Sequence, residues 1–188
     1  LSYLPVISRQ LVDEIRAQRQ LVQAERGELS LNYDHLRTID VIDRAIVQAR
    51  RYTVGDGVNV EIGCESSDLM LVSDTTLLLR VLLNMLKNAV EASLPGESVR
   101  IGCEQIDDDH VRFIVHNPAV IPELIQLQIF NRSFSTKGVD RGIGTYSMKL
   151  LTERYLHGEI GFTSAKGEGT TFFVTLPTIH PDSDELIH

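Results

Sequence analysis

Between Asp74 and Ala92 the sequence runs DTTLLLRVLLNMLKNAVEA, the pattern of one long helix that opens on an acidic residue. Leu78, Leu82, Leu86 and Ala89 recur at helical spacing as one apolar wall, and Leu79, Leu83, Met85 and Val90 carry the apolar surface further round. Little of such a helix is left to face water. Arg80, Asn84, Lys87, Asn88 and Glu91 stand three or four residues apart on what remains, one polar stripe along a buried rod. Burying an amide or a charge without a partner costs on the order of 2 kcal/mol or more. The stripe therefore needs internal partners or a wet, ligand-filled cleft. A solvated outer face accounts for Arg80 taken alone but poorly for two asparagines one turn apart. Asparagine is a mediocre helix former, and its side-chain carbonyl is a neutral oxygen ligand suited to Mg²⁺.

On both sides of this helix the hydrophobic period changes to alternation. Val58, Val60 and Ile62 alternate with polar residues before Cys64, and Asp68–Val72 predicts a second short strand leading into the helix. Leu94-Pro95-Gly96-Glu97 supplies the stop and turn beyond it. Val99–Gln105 and Val111–Val115 alternate across an acidic connection, Ile106–His110, which predicts a hairpin; Glu159–Ser164 and Thr170–Leu176 form another pair joined by AKGEG. Further out, Thr38–Tyr52 carries Ile39, Ile42, Ala45, Ile46 and Ala49 on one side of a helix, and residues 28–37 read as a linker. Residues 6–27 place Ile7, Leu11, Ile15, Leu21 and Val22 along the seam of an N-terminal helix ending near Gly27, suited to packing on another helix or a second chain. Strand pairs with short turns, interleaved with helices, predict an α/β fold: a two-layer sandwich of a mixed β-sheet with helices on one face, preceded by the N-terminal helix.

The 188 residues, 43% apolar, suffice for one medium domain and an appendage. A net charge of −8 argues against nucleic acid as a partner. No apolar run reaches the length of a membrane span and no signal-peptide pattern opens the chain, so no membrane contact is expected of this stretch. It begins in mid-helix style, as a piece cut from a longer protein would. Cys64 and Cys103 sit singly in strand-like runs without metal-type spacing and read as buried thiols of a reducing, cytoplasmic compartment.

The segment from Asn117 to Leu151 fits no simple period. It opens with HNPAVIPE, passes through a short helical piece ending at Phe130, continues as NRSFSTKGVDRGIGT and enters the helix YSMKLLTERYL. Gly138, Gly142 and Gly144, with Ser135, Thr136 and Lys137, make a glycine-rich basic loop running into a helix N-terminus, where backbone amides and the helix dipole favour phosphate. A flexible surface loop explains such a run equally well on its own. Together with an Mg²⁺-capable asparagine pair the phosphate reading gains weight.

In their order these motifs resemble the ATP-binding domain of sensor histidine kinases, the ATPase fold shared with DNA gyrase, Hsp90 and MutL, over roughly residues 54–177. Asn84-Met85-Leu86-Lys87-Asn88-Ala89 resembles the asparagine box, and Phe130 to Lys137 the F box. Arg141-Gly142-Ile143-Gly144 resembles the second glycine box, and Gly167-Glu168-Gly169-Thr170 the third. The resemblance implies a division into residues 1–37, the end of a dimerization helix and its linker; 38–178, an ATP-binding kinase domain; and 179–188, a C-terminal tail. It implies ATP and Mg²⁺ as cofactors, with Asn88 as the metal ligand and Asn84 beside the metal and phosphates. Lys137 would reach the terminal phosphates, the amides of Gly142 and Gly144 would cradle them, and Thr170 would lie near the adenine. Asn84 and Lys137 would be the catalytic pair. Gyrase-like relatives carry a water-activating glutamate where this chain has Asn84, which cannot take a proton. That favours transfer of the γ-phosphate to a protein nucleophile over hydrolysis.

Two departures stand out. The first glycine box of the family reads Asp-x-Gly-x-Gly before Ile-Pro; the matching run here is Asn117-Pro118-Ala119-Val120-Ile121-Pro122, one residue shorter and without glycine. Asn117 retains an oxygen that can accept from the adenine amino group, but as a neutral acceptor. The second glycine box has Asp140 in place of its first glycine. No phospho-acceptor motif is visible, since His35 lacks a following acid and a downstream proline. The implied function is the catalytic part of a histidine kinase acting on a dimerization-domain histidine outside this stretch, in a homodimer that passes phosphate to a response regulator. A degenerate pseudokinase that only transmits conformation is the alternative. A stand-alone ATPase or an anti-sigma-type serine kinase of the same fold fits less well, given Asn84 and the leading helix.

Overall fold

The computed structural model describes residues 15, 18–52, 57–63, 66–131 and 143–183. The chain divides into two units, Leu1–Leu31 and Asn32–His188. In the first, residues 18–26 are helical. The stop is where the sequence places it: Gly27 takes φ +77°, its N–H donates to the Ala24 carbonyl (3.2 Å), and that of Glu28 donates to Gln23 (2.9 Å). This pair of bonds closes a helix on a left-handed glycine. Of residues 6–17 in the expected helix, Ile15 alone is described.

The second unit runs β1 (Tyr33–Arg37), α1 (Thr38–Tyr52), β2 (Asn59–Ile62), β3 (Met70–Asp74), α2 (Thr75–Ala92), β4 (Ser98–Gln105), β5 (His110–Asn117), α3 (Glu123–Gln126), α4 (Ile143–Arg154), β6 (Glu159–Ala165) and β7 (Gly169–Pro177). Five strands form one sheet in the order β2-β4-β5-β7-β6. The β2–β4 pair is parallel and the other three are antiparallel, so the sheet is mixed, as expected. Alternation decides its faces: Val99, Ile101 and Cys103 of β4, Val111, Phe113 and Val115 of β5, and Phe172, Val174 and Leu176 of β7 are all buried. Helix α2 packs against α1, α4 and β5. The turn after α2 is the one its sequence demands. The Glu97 N–H donates to the Leu94 carbonyl (3.0 Å), and Gly96, at φ +91°, takes the position of a type II turn that needs positive φ.

Three segments depart from the sequence reading. Residues 33–37, expected to be linker, form β1 and pair with β3 in a separate two-stranded sheet. The β3 strand starts at Met70 rather than Asp68, because the preceding backbone is committed to Thr38. The Thr38 N–H donates to the Leu69 carbonyl (2.9 Å), its hydroxyl donates to Ser67 O (2.7 Å), and the Leu69 N–H donates to that hydroxyl (2.9 Å). Residues after 178, expected to be tail, lie along β3 instead, with Val72 donating to Thr178 O (2.7 Å) and His180 donating to Val72 O (3.1 Å). Cys103 is buried as expected, with a pKa raised mainly by burial; Cys64 lies outside the described residues. No helix among the described residues is long and apolar enough to cross a membrane.

Asp74 joins these parts. It is 4% exposed; one carboxylate oxygen caps α2 by accepting from the Leu77 N–H (2.9 Å), and the other accepts from the Asn32 N–H (2.8 Å). Asp74→Ala is expected to lower the unfolding free energy by about 2–3 kcal/mol, read as a fall in the urea midpoint. Asp74→Asn, which keeps the cap acceptor, should cost less. An unchanged midpoint for Asp74→Ala would remove Asp74 from this role.

Candidate functional site

Helix α2 carries the stripe predicted for it. Leu77, Leu78, Val81, Leu82, Met85, Leu86, Ala89 and Val90 are buried, Asn84, Asn88 and Arg80 are half-buried, and Lys87 and Glu91 are exposed. Burial lowers the Arg80 pKa from its ordinary value. The Asn88 side-chain nitrogen is buried and has no hydrogen-bond partner. An orphan amide of this kind costs about 1–3 kcal/mol.

The Asn117 side-chain nitrogen has the same status, in a residue only 3% exposed at the end of β5. Among the described residues, these two asparagines hold the buried side-chain nitrogens without a partner; the hydroxyls of Ser147 and Thr152 on α4 are also unpaired. The sheet brings Asn117 and Thr170 together as direct neighbours across β5 and β7. Ser164 of β6 stands opposite Thr170 on its other side. These three positions form a row across three strands.

From that row a chain of hydrogen bonds holds the shortened loop Pro118–Pro122. The Thr170 hydroxyl donates to the Ala119 carbonyl (2.7 Å). Its one proton is thereby spent, so in the 2.8 Å contact between the two hydroxyls Ser164 donates and Thr170 accepts. Ser164 in turn accepts from the Ile121 N–H (2.8 Å). The Gln126 amide of α3 adds a bond to the Ile121 carbonyl (2.7 Å) and a longer one to Ser164 O (3.4 Å). Thr170, 2% exposed, thus braces the loop and keeps acceptor capacity for one more donor. Ser164 and Gln126 were not singled out from sequence. For Ser164 a signal existed: a hairpin closed by Lys166-Gly167-Glu168 sets Ala165 opposite Gly169 and Ser164 opposite Thr170.

Gly169 makes the approach of loop and hairpin possible. It takes φ +79°, and a Cβ there would stand 2.3 Å from the Asn117 carbonyl oxygen and 3.0 Å from the Pro118 Cα. Phe130, the first residue of the F-box run, is packed edge-on against Phe162 (5.9 Å between ring centroids) and Phe172 (6.3 Å), with the Lys149 ammonium 6.0 Å from its ring centre. Gly144 is the second residue of α4, and nothing lies within 4 Å of the place a Cβ would take. Lys137 and Gly142 lie outside the described residues, as do Ser135, Thr136, Gly138 and Asp140.

The sequence family described as "Histidine kinase-, DNA gyrase B-, and HSP90-like ATPase" matches residues 73–180. The chain is 30% identical over 73% of its length to the signal transduction histidine-protein kinase/phosphatase MprB of Mycolicibacterium paratuberculosis, of which it covers 27%. It is 29% identical over 98% of its length to the signal transduction histidine-protein kinase AtoS of Escherichia coli, of which it covers 30%. The chain thus spans less than a third of either relative. Its fold matches that of histidine kinase ThkA, solved in complex with response regulator protein TrrA, with a TM-score of 0.71 at 20% identity over 94% of this chain and 50% of that one.

Two neighbouring glycines separate conformational strain from contact. Gly167→Ala meets only the strain, since Gly167 has φ +85° with nothing within 4 Å of a Cβ, and should cost about 1 kcal/mol. Gly169→Ala meets both strain and the Asn117 carbonyl, and should cost about 3 kcal/mol or more by thermal unfolding. Equal losses for the two would show that the close approach at Asn117 is unimportant.

Proposed function

This chain belongs to the histidine kinase-, DNA gyrase B- and HSP90-like ATPase family, and from that premise we propose that it is the ATP-binding catalytic part of a two-component sensor histidine kinase. The observation that carries the proposal is the pair of buried, unpaired amides. Asn88 and Asn117 stand at the two positions that the family resemblance assigns to metal and adenine, and both have a side-chain nitrogen without a partner. Each unpaired nitrogen is a donor, so an acceptor on the ligand, a phosphate oxygen beside Asn88 or an adenine ring nitrogen beside Asn117, recovers the penalty of leaving it unmade.

The residues fit the groups such a kinase uses. Asn88 offers a neutral oxygen to Mg²⁺ from a half-buried helix face, with Asn84 one turn earlier. Bound Mg²⁺ would neutralise charge on the β- and γ-phosphates. Asn117 reads the adenine edge, Thr170 holds the neighbouring loop in place, and the open backbone at Gly144 faces phosphate at the start of α4. Lys137 and the amide of Gly142 complete the phosphate contacts, and Lys137 acts with Asn84 in catalysis. In the reaction the bond from the γ-phosphorus to the ADP oxygen breaks and a bond to a histidine ring nitrogen forms.

That histidine belongs to a dimerization domain outside this stretch. Residues 1–37 would supply the end of its helix and the linker, and residues 38–178 the ATP-binding domain, with which residues 32–37 form one compact unit. The whole protein works as a cytoplasmic homodimeric kinase segment that hands phosphate to a response regulator. The kinase names of MprB and AtoS support transfer over the degenerate, signal-only reading.

Calorimetric titration with ATP, ADP and GTP in Mg²⁺ tests this. ATP should bind on the order of tens to hundreds of micromolar and be preferred to GTP, whose ring carries a carbonyl where adenine has its amino group. Asn88→Ala should weaken binding in Mg²⁺ with the circular dichroism unchanged. Asn117→Asp, by restoring a charged acceptor, should tighten it about five- to tenfold. No binding of any nucleotide at millimolar concentration would overturn the proposal.

A further inference from the structure

Away from the asparagines, a second group of side chains converges where the chain leaves α4 and where it returns along β3. Among the described residues, His157, His180 and Asp182 are the set whose potential ligand atoms gather, each within 4.8 Å of the others. His157 follows α4 in a left-handed conformation, φ +51°, and its Nε2 lies 3.3 Å from Asp182 Oδ2. His180 is 2% exposed, on the segment held to β3 through its own N–H. Its ring packs on Tyr33 at 4.5 Å between centroids and edge-on to His157 at 4.8 Å.

The tautomer of His180 follows from its neighbours. Its Nε2 lies 2.7 Å from the Tyr155 carbonyl oxygen, which can only accept, so the proton is on Nε2. The Nδ1 lone pair is then directed toward Asp182, where it accepts a long bond from the Asp182 N–H (3.2 Å). An imidazole that donates one N–H to a backbone carbonyl is in the tautomer metal-ligating histidines take, and a metal at Nδ1 replaces the 3.2 Å bond from the Asp182 N–H. We propose that His180 Nδ1, His157 Nε2 and an Asp182 carboxylate oxygen form a site for a borderline divalent transition ion of the Zn²⁺ class.

Two imidazoles and one carboxylate suit Zn²⁺, Ni²⁺ or Cu²⁺, whereas Mg²⁺ and Ca²⁺ take oxygen ligands. Donor atoms sharing one tetrahedral zinc stand about 3.3–3.4 Å apart. The present spacing, up to 4.8 Å, needs closing by as much as about 1.4 Å, and the two side chains that must move, His157 and Asp182, are 42% and 62% exposed. The buried ligand, His180, is already fixed. Water fills the remaining position. Such an ion would tie the end of α4 to the segment after β7. The site shares none of its three ligands with the proposed nucleotide site.

The test is calorimetric titration of the chelator-stripped chain with ZnCl₂ and, separately, MgCl₂. Zn²⁺ should bind saturably, at low micromolar concentration or tighter. His157→Ala and Asp182→Asn, both at exposed positions, should each weaken it by at least about tenfold, while His110→Ala, which breaks a different His–Asp pair with Asp107, should leave this affinity unchanged. Absence of saturable Zn²⁺ binding, an affinity unmoved by His157→Ala and Asp182→Asn, or equal affinity for Mg²⁺ would each overturn the site.

Discussion

A helix enclosed on most of its circumference and still carrying asparagines forces the surrounding fold to answer for their amides. Helix α2 is that helix: eight of its side chains are buried, and it packs on α1, α4 and β5. Hydrophobic burial fixes where it lies, because any rotation would bring Asn84, Asn88 or Arg80 under the apolar wall at a cost of about 2 kcal/mol or more each. Its start is fixed independently by Asp74, whose two oxygens serve the helix N-terminus and Asn32. With both axis and rotation set, the half-buried asparagines have one direction left to face. The Asn88 nitrogen remains unpaired within the protein even so.

The loop after β5 solves a related problem by other means. Pro118 and Pro122 have no N–H to donate, so few of the loop's backbone donors remain. Of those, the Ile121 N–H donates to Ser164, while the Ala119 carbonyl accepts from Thr170. Close approach at this place rests on a glycine of the opposite hairpin, in the run that resembles the third glycine box. Gly169 gives up its side chain so that the Asn117 carbonyl can approach. The freedom to come close is needed once per contact, and either backbone can supply it.

These cases show why some of the structure was legible in sequence and some was not. Local rules located α2, the two hairpins, the turn at Leu94–Glu97 and the stop at Gly27, because each depends on residues within a few positions of one another. β1 was missed because YDHLR carries one buried residue, Leu36; its strand state depends on β3, more than thirty residues away. The segment 178–183 was missed for the same reason. At the candidate site the motif order singled out Asn84, Asn88, Asn117, Gly144 and Thr170, all within the described residues. It gave Thr170 a place beside a ligand and not the bracing role its hydroxyl has, since that role is visible only when Ser164 and Ala119 stand next to it.

The neutral residue at position 117 also has an energetic logic. Asn117 is almost fully enclosed, and in the absence of ligand its unpaired amide costs about 1–3 kcal/mol. A carboxylate in the same enclosure would have to lose its hydration and would cost more, unless it took up a proton. On the proposed reading, the carboxylate would recover that cost when an adenine amino group arrives, and affinity would rise because the unliganded state had been made worse. Tighter binding and a less stable unliganded fold are then two expressions of one desolvation. On that reading a chain with asparagine here would keep the unliganded domain stable at the cost of a weaker hold on the base, and the occupancy of its site would track nucleotide concentration over a higher range than a carboxylate would allow.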